Sequence, residues 1–288
     1  MMRRTNARVL LAAVLLLVSP NWQAAAWEAD VHYGLTKWLA LQVGLSNDQA
    51  EWIAHGDQGV DASWFTDPLT VTAVSACIPN YTDPVGSTLI HNNHFASKAD
   101  TPNLPADRSV KPSEVWQDAR RRLPPPIDGS QASFLALGRF LHAFQDSWSH
   151  QGIPDIPLHC KEEWAFGHPA ARGGWNCHNA DLTYIWQDRD VPEMAYATYQ
   201  ILANVLGRPP LVDWKVLEPA VHEFAIAGSK EAKDAWFEKD KQHFSEQKDR
   251  EFLKDISLPD CEPNRQCKPD SWQILFGQSR DIIRKEAS

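Results

Sequence analysis

The sequence predicts an all-α fold, a multi-helix bundle with two long loops. Apolar residues recur at helical spacing in one segment after another, and those segments open and close on helix-capping residues. Strand-like alternation is scarce, with "LTVTAV" at 69–74 its best and brief case.

The first 26 residues stand apart. "MMRRTNAR" is basic, "VLLAAVLLLV" is an apolar core of ten residues, and "SPNWQAAA" ends in small residues. That is the architecture of a secretory signal peptide, and its core is too short to span a bilayer. Cleavage after Ala26 is expected to export the chain, secreted or periplasmic, as a single domain over residues 27–288. It removes Arg3, Arg4 and Arg8 and no acid, which leaves 262 residues with a formal charge of −12.

Along that domain, "DVHYGLTKWLALQVG" spaces Val31, Leu35, Trp38, Leu39 and Leu41 as a helix does and ends near Gly44. "SNDQAEWIAHG" opens on a capping pattern from Ser46 to Gln49 and is expected to stop at Gly56. "PSEVWQDARRRL" is short and amphipathic, and "SQASFLALGRFLHAFQDSWSH" is the most apolar helical segment of the exported chain. "VPEMAYATYQILANVLG" has Pro192 at its start and Gly207 at its end. "LEPAVHEFAIAG", the long run 229–256 and "SWQILFGQSRDIIRKEA" complete the bundle. Loops over 77–110 and 151–190 are long for a helical protein, and such loops are usually functional.

Export permits disulfides. Cys261 and Cys267 bound one short loop, Cys160 and Cys177 bracket another, and Cys77 is left over, with connectivity open on sequence alone. The acidic balance argues against a long polyanion as partner. No Gly-x-Ser-x-Gly elbow, P-loop or dinucleotide fingerprint is present.

The chemistry concentrates in histidine and aspartate. In "LHAFQDSWSHQG", His142, Asp146 and His150 follow one another at four-residue steps and project from one helix face. Two imidazoles and a carboxylate there make a half-site for zinc; the alternative is a buried structural network, because leaving them unpaired would cost several kcal/mol. "LIHNNHFAS" adds His91 and His94, which a loop would ordinarily leave solvated. "HGDQGVD" adds His55, Asp57 and Asp61, whose ordinary role is a helix end and a solvated turn. "WAFGHPAARGGWNCHNADLTY" adds His168, His178 and Asp181. In "AAAWEADVHYG", cleavage would free the amine of Trp27 five residues before His32. An α-amine titrates near pH 8, so zinc can displace its proton at neutral pH, and the amine and carbonyl of one residue form a five-membered chelate.

Together these residues resemble the zinc-dependent phospholipase C and fungal single-strand nuclease superfamily over roughly residues 27–190. Members begin their mature chains with a zinc-chelating tryptophan. A histidine, an aspartate, a second histidine, a helical His-x-x-x-Asp pair and a final histidine group with a carboxylate follow. The resemblance implies that Trp27 and His32 hold one zinc, that Asp57 is the early aspartate with Asp61 a close rival, and that His94 is the second histidine. His142 and Asp146 match the helical pair, Asp146 bridging two ions, and His150, His168 (or His178) and Asp181 serve the third. This chain departs from the pattern at His150, which follows the helical aspartate by four residues where the family usually has six.

Three Zn2+ ions so held imply hydrolysis of phosphate esters. A water shared by two zinc ions loses a proton near neutral pH and becomes a nucleophile, with Asp57 placed to take that proton and Asp146 to bridge. The expected partner is a phospholipid or another phosphodiester met by a monomer at a membrane surface, rather than double-stranded nucleic acid. Trp64, Phe65, Tyr81 and Phe95 could meet a lipid or a choline-like head group, although core packing is the usual fate of any one of them. A single-strand nuclease is the alternative, favoured by the spacing of Trp27 and His32 and disfavoured by the acidic charge. A non-catalytic zinc-binding helical protein is a third, disfavoured because structural zinc sites are commonly rich in cysteine.

Overall fold

The computed structural model describes residues 27–63, 66, 93–94, 127–149, 180–240, 242–244, 249, 251 and 253. Among them the fold is all-α, with no strand. A π-helical segment, Asp30–Leu35, runs directly into α1, Thr36–Val43. The other helices are α2 (Asn47–Gln58), α3 (Gln131–Ser149), α4 (Asp190–Leu206), α5 (Trp214–Ile226) and α6 (Lys230–Glu238), with a 3-10 turn at Thr183–Ile185 before α4. No helix among the described residues is long and apolar enough to cross a membrane.

The ends of these helices follow from local chemistry. Gly44 closes α1 at φ 99° and Gly207 closes α4 at φ 61°, left-handed conformations that glycine adopts without a Cβ penalty. Ser46 and Gln49 exchange side-chain and backbone bonds as a capping box on α2. Asp213 and Ser229 accept first-turn N–H groups at the starts of α5 and α6.

Two expected boundaries differ. Helix α2 does not stop at Gly56 but continues to Gln58. A Cβ at Gly56 would lie 2.2 Å from the Leu135 carbonyl oxygen of α3, so this glycine permits close helix packing rather than ending the helix. The expected helix over 229–256 is interrupted after Glu238, since Asp240 engages both the backbone N–H and the Nδ1 of His243 and favours a turn over another helical step. Phe244 consequently packs on Phe237, with ring centroids 5.0 Å apart.

The core holds Leu39, Ile53, Leu137, Leu141, Met194, Val221 and Phe224, contributed by α1 through α5. Two lysines lie inside it, both fully buried. Lys37 pairs with Asp249, and Lys233 pairs with Asp30 at 2.8 Å. The strand-like stretch at 69–74, the segments 112–123 and 271–287 expected to be helical, all five cysteines and the aromatics Trp64, Phe65, Tyr81 and Phe95 lie outside the described residues.

Candidate metal centre

Six titratable side chains meet where the π-helical segment crosses α2 and α3. His32 comes from the π segment, Asp57 from the last turn of α2 and Asp61 from the turn after it. His142 and Asp146 stand one turn apart on α3, and His94 arrives from the intervening chain. All six are 3% exposed or less. A π turn takes up one more residue than an α turn and often marks a functional site; here it carries His32 into the cluster.

Hydrogen bonds determine which nitrogen of His32 carries its proton. Thr36 Oγ1 donates to Asp57 Oδ2 at 2.8 Å. Its one proton is committed there, so its oxygen accepts from Gln145 Nε2, also at 2.8 Å. That orientation of the amide turns Gln145 Oε1 toward His32 Nδ1 at 3.0 Å. A carbonyl oxygen only accepts, so Nδ1 is the protonated nitrogen. Nε2, on the far side of the ring, lies 3.2 Å from Asp146 Oδ1 and 4.0 Å from Asp61 Oδ2. Among the described residues His32 Nε2, Asp146 Oδ1 and both Asp61 oxygens have no aligned hydrogen-bond partner.

His94 is fixed in the opposite sense. Its Nε2 donates to the Thr66 carbonyl at 2.6 Å, which leaves Nδ1 to face the cluster. His94 Nδ1 lies 3.0 Å from His142 Nε2, 3.3 Å from Asp146 Oδ2 and 3.7 Å from Asp61 Oδ1. His142 Nε2 in turn lies 3.3 Å from Asp146 Oδ2 and 3.4 Å from Asp61 Oδ1. Tetrahedral ligands about 2.0–2.2 Å from a zinc stand roughly 3.3–3.6 Å from one another. The separations of these four atoms bracket that value. In addition, His32 and His142 stack at 4.0 Å, with Asp57 Oδ1 2.9 Å and 3.3 Å from their Nδ1 atoms. Two overlapping sets thus bring potential ligand atoms within metal-binding distance of one another: His32, Asp57 and His142, and Asp61, His94 and His142.

The cluster demands positive charge. Burial and the neighbouring His142 push the His32 pKa down, yet Asp57 together with contacts to Asp146 and Asp57 outweighs them and raises it to about 10. Burial likewise opposes charging His142, but Asp146 and Asp61 hold it well above the usual imidazole range. Burial would raise Asp146, whereas the charge of His142 and contacts with His142, His32 and His94 keep it well below the usual carboxylate range. Protons fill this demand in a metal-free chain; a divalent cation fills it with better geometry, because His32 Nε2 and Asp146 Oδ1 are close without being aligned for a hydrogen bond.

The structure thus brings together His32, Asp57, Asp61, His94, His142 and Asp146. Trp27 is fully buried beside them, its indole donating to the Gln145 carbonyl at 2.9 Å. Asp181 reaches the C-terminal end of α3, where it accepts from Ser149 Oγ at 3.2 Å. His55 is turned away, about one-third exposed, with its Nε2 3.6 Å from Glu51. His91, His150, His168 and His178 lie outside the described residues. Sequence reasoning missed Thr36, Gln145 and Thr66. Thr36 follows His32 by four residues and Gln145 follows His142 by three, so polar residues sharing a face with the histidines were the available signal.

Fold and site together define a class: a helical protein enclosing a buried nest of three imidazoles and three carboxylates that can hold metal. No family model, curated protein or solved structure matches the chain.

Proposed function

We propose that the chain is an exported zinc-dependent phosphoric ester hydrolase, a phosphodiesterase acting on phospholipids in the manner of a phospholipase C. One observation carries this reading. His32 Nδ1 and His94 Nε2 are taken by Gln145 and Thr66, so the second nitrogen of each ring faces carboxylate oxygens of Asp146 and Asp61, an arrangement that calls for positive charge between them, from protons or from a metal ion. Nitrogen and carboxylate donors without sulfur suit a catalytic zinc site more than a structural one.

Bound there, zinc supplies Lewis-acid stabilisation of a phosphoryl oxygen and acidifies a water. The chain supplies the holding. The two Asp146 oxygens face different sides, Oδ1 toward His32 and Oδ2 toward His94 and His142, so this carboxylate can serve two ions. The Trp27 amine joins His32 on one side in this proposal; on the other, a carboxylate of the 57–61 turn joins His94 and His142. By the same resemblance, Asp181 with His150 and His168 (or His178) would hold the third ion. Burial keeps bulk water from competing for the ligands and strengthens every charge interaction inside.

The test pairs metal analysis with two assays on the chain beginning at Trp27. About three zinc ions per chain together with head-group release from phosphatidylcholine are expected. Cleavage of single-stranded DNA instead of lipid moves the substrate to nucleic acid, the alternative that the Trp27 to His32 spacing favours. One tightly held zinc with neither activity leaves a metal-binding protein and overturns the hydrolase.

A further inference from the structure

We propose that Asp57 is a positioning residue rather than a zinc ligand: through Thr36 and Gln145 it sets the tautomer of His32, and Asp61 is the carboxylate that ligates beside His94 and His142. The inference rests on the metal reading above and assigns roles within that centre.

The direction of the relay is decided at position 57. Every other member can reverse, since a hydroxyl both donates and accepts and an amide can turn over. A carboxylate only accepts. Asp57 Oδ2 therefore forces Thr36 to donate, Thr36 forces Gln145 to present its NH2, and the amide oxygen left over forces the proton of His32 onto Nδ1. The nitrogen selected for metal is then Nε2, which faces Asp146. Outer carboxylates that fix the tautomer of a metal-binding histidine are a general device; here the device works through two intervening side chains.

The same logic excludes an ion held by His32, Asp57 and His142 through the near side of the rings. Asp57 Oδ1 is 2.9 Å from His32 Nδ1 and 3.3 Å from His142 Nδ1, but the His32 nitrogen already carries the proton it donates to Gln145. Asp61 is placed differently. Asp57 commits Oδ2 to Thr36 and has only Oδ1 left, beside ring nitrogens on the Nδ1 side. Neither Asp61 oxygen has a hydrogen-bond partner among the described residues, and Oδ1 lies 3.4 Å from His142 Nε2 and 3.7 Å from His94 Nδ1, the cluster-facing nitrogens.

The experiment uses the chain beginning at Trp27, labelled with 15N-histidine and loaded with Zn2+, and reads tautomers from long-range 1H–15N correlations alongside zinc equilibrium dialysis. In the unsubstituted chain His32 and His142 should carry Nδ1–H with Nε2 on metal, and His94 the reverse. Asp57→Asn and Thr36→Val should each lower zinc affinity roughly 10–100-fold, leave the number of ions at saturation unchanged and mix the His32 tautomers, with His94 unaffected as internal control. Thr36→Ser should restore the original spectrum. Asp61→Asn should lose one ion at saturation. If Asp57→Asn loses an ion while Asp61→Asn keeps all, or if zinc-loaded His32 carries Nε2–H, the assignment is overturned and the metal reading survives. An unsubstituted chain that binds no zinc overturns the metal reading itself.

Discussion

Gly138 of α3 lies against the Ile53 carbonyl of α2 so closely that a Cβ at 138 would stand 2.0 Å from that oxygen. Gly56 makes the reciprocal approach to Leu135. This crossing places Asp57, one residue past Gly56, beside His142, one turn past Gly138. Gly138→Ala must push the helices apart, since backbone cannot yield as a side chain can. We expect a loss of about 1–3 kcal/mol or more in urea unfolding, together with weaker zinc binding. A variant with wild-type stability and affinity would show that the crossing does not fix the site.

Asp146 and Asp181 should differ in consequence. Asp146 uses both oxygens inside the cluster, while Asp181 meets Ser149 at its margin. Asp146→Asn should reduce phosphodiesterase activity by more than the roughly 10–100-fold typical of losing an outer partner, and Asp181→Asn by less than Asp146→Asn. Steady-state rates at saturating zinc compare them; the reverse order would overturn the bridging role proposed for Asp146.

The buried Trp27 makes the N-terminus testable. Its indole is anchored on the Gln145 carbonyl, the same residue whose side chain bonds His32. One extra residue before Trp27 turns its amine into an amide. Zinc content should drop by one ion and activity should largely vanish, with far-ultraviolet circular dichroism nearly unchanged. Full zinc content in the extended chain would separate the terminus from the centre.

Stability against pH should depend on metal. In the metal-free chain His32 is raised from 6.5 to about 10, so its stabilising contribution is complete below pH 6.5 and is lost as pH climbs toward about 10. A zinc ion held there as proposed would take the place of those protons and bind more tightly as pH rises. Thermal melts of EDTA-treated and zinc-loaded protein should diverge progressively above pH 6.5. Parallel curves would mean that His32 does not hold the metal.

Lys233 is fully buried, pairing with Asp30 at 2.8 Å and donating to Thr183 Oγ1 at 2.7 Å and the Phe224 carbonyl at 2.8 Å. Its pKa is lowered because burial outweighs the attraction of Asp30. Lys233→Met strands the Asp30 carboxylate and should cost about 3–5 kcal/mol. Adding Asp30→Asn should recover part of that loss in chemical denaturation; additive losses would show that the two are not coupled.

Much of the frame was legible because it is local. The Ser46 to Gln49 box, the closing glycines Gly44 and Gly207, and the shared face of His142 and Asp146 depend on residues within a turn or two of each other. Gly56 misled for the same reason. Within its own segment it is a helix breaker, and its use as a contact surface appears only when α3 lies across it. Lys37 and Lys233 likewise look like solvated charges until Asp249 and Asp30 meet them in the core.

By itself, then, the sequence determined an all-α chain and the residue types of its buried cluster, since helical periodicity, caps and donor chemistry are properties of short stretches. Tertiary structure alone decided that His32, Asp61, His94 and Asp146 face one another, that Asp57 meets Thr36, and which nitrogen of each ring looks inward. A tautomer belongs to no residue type. It is imposed by the polarity of hydrogen bonds that exist only once segments over a hundred residues apart, such as those of His32 and Gln145, have packed together.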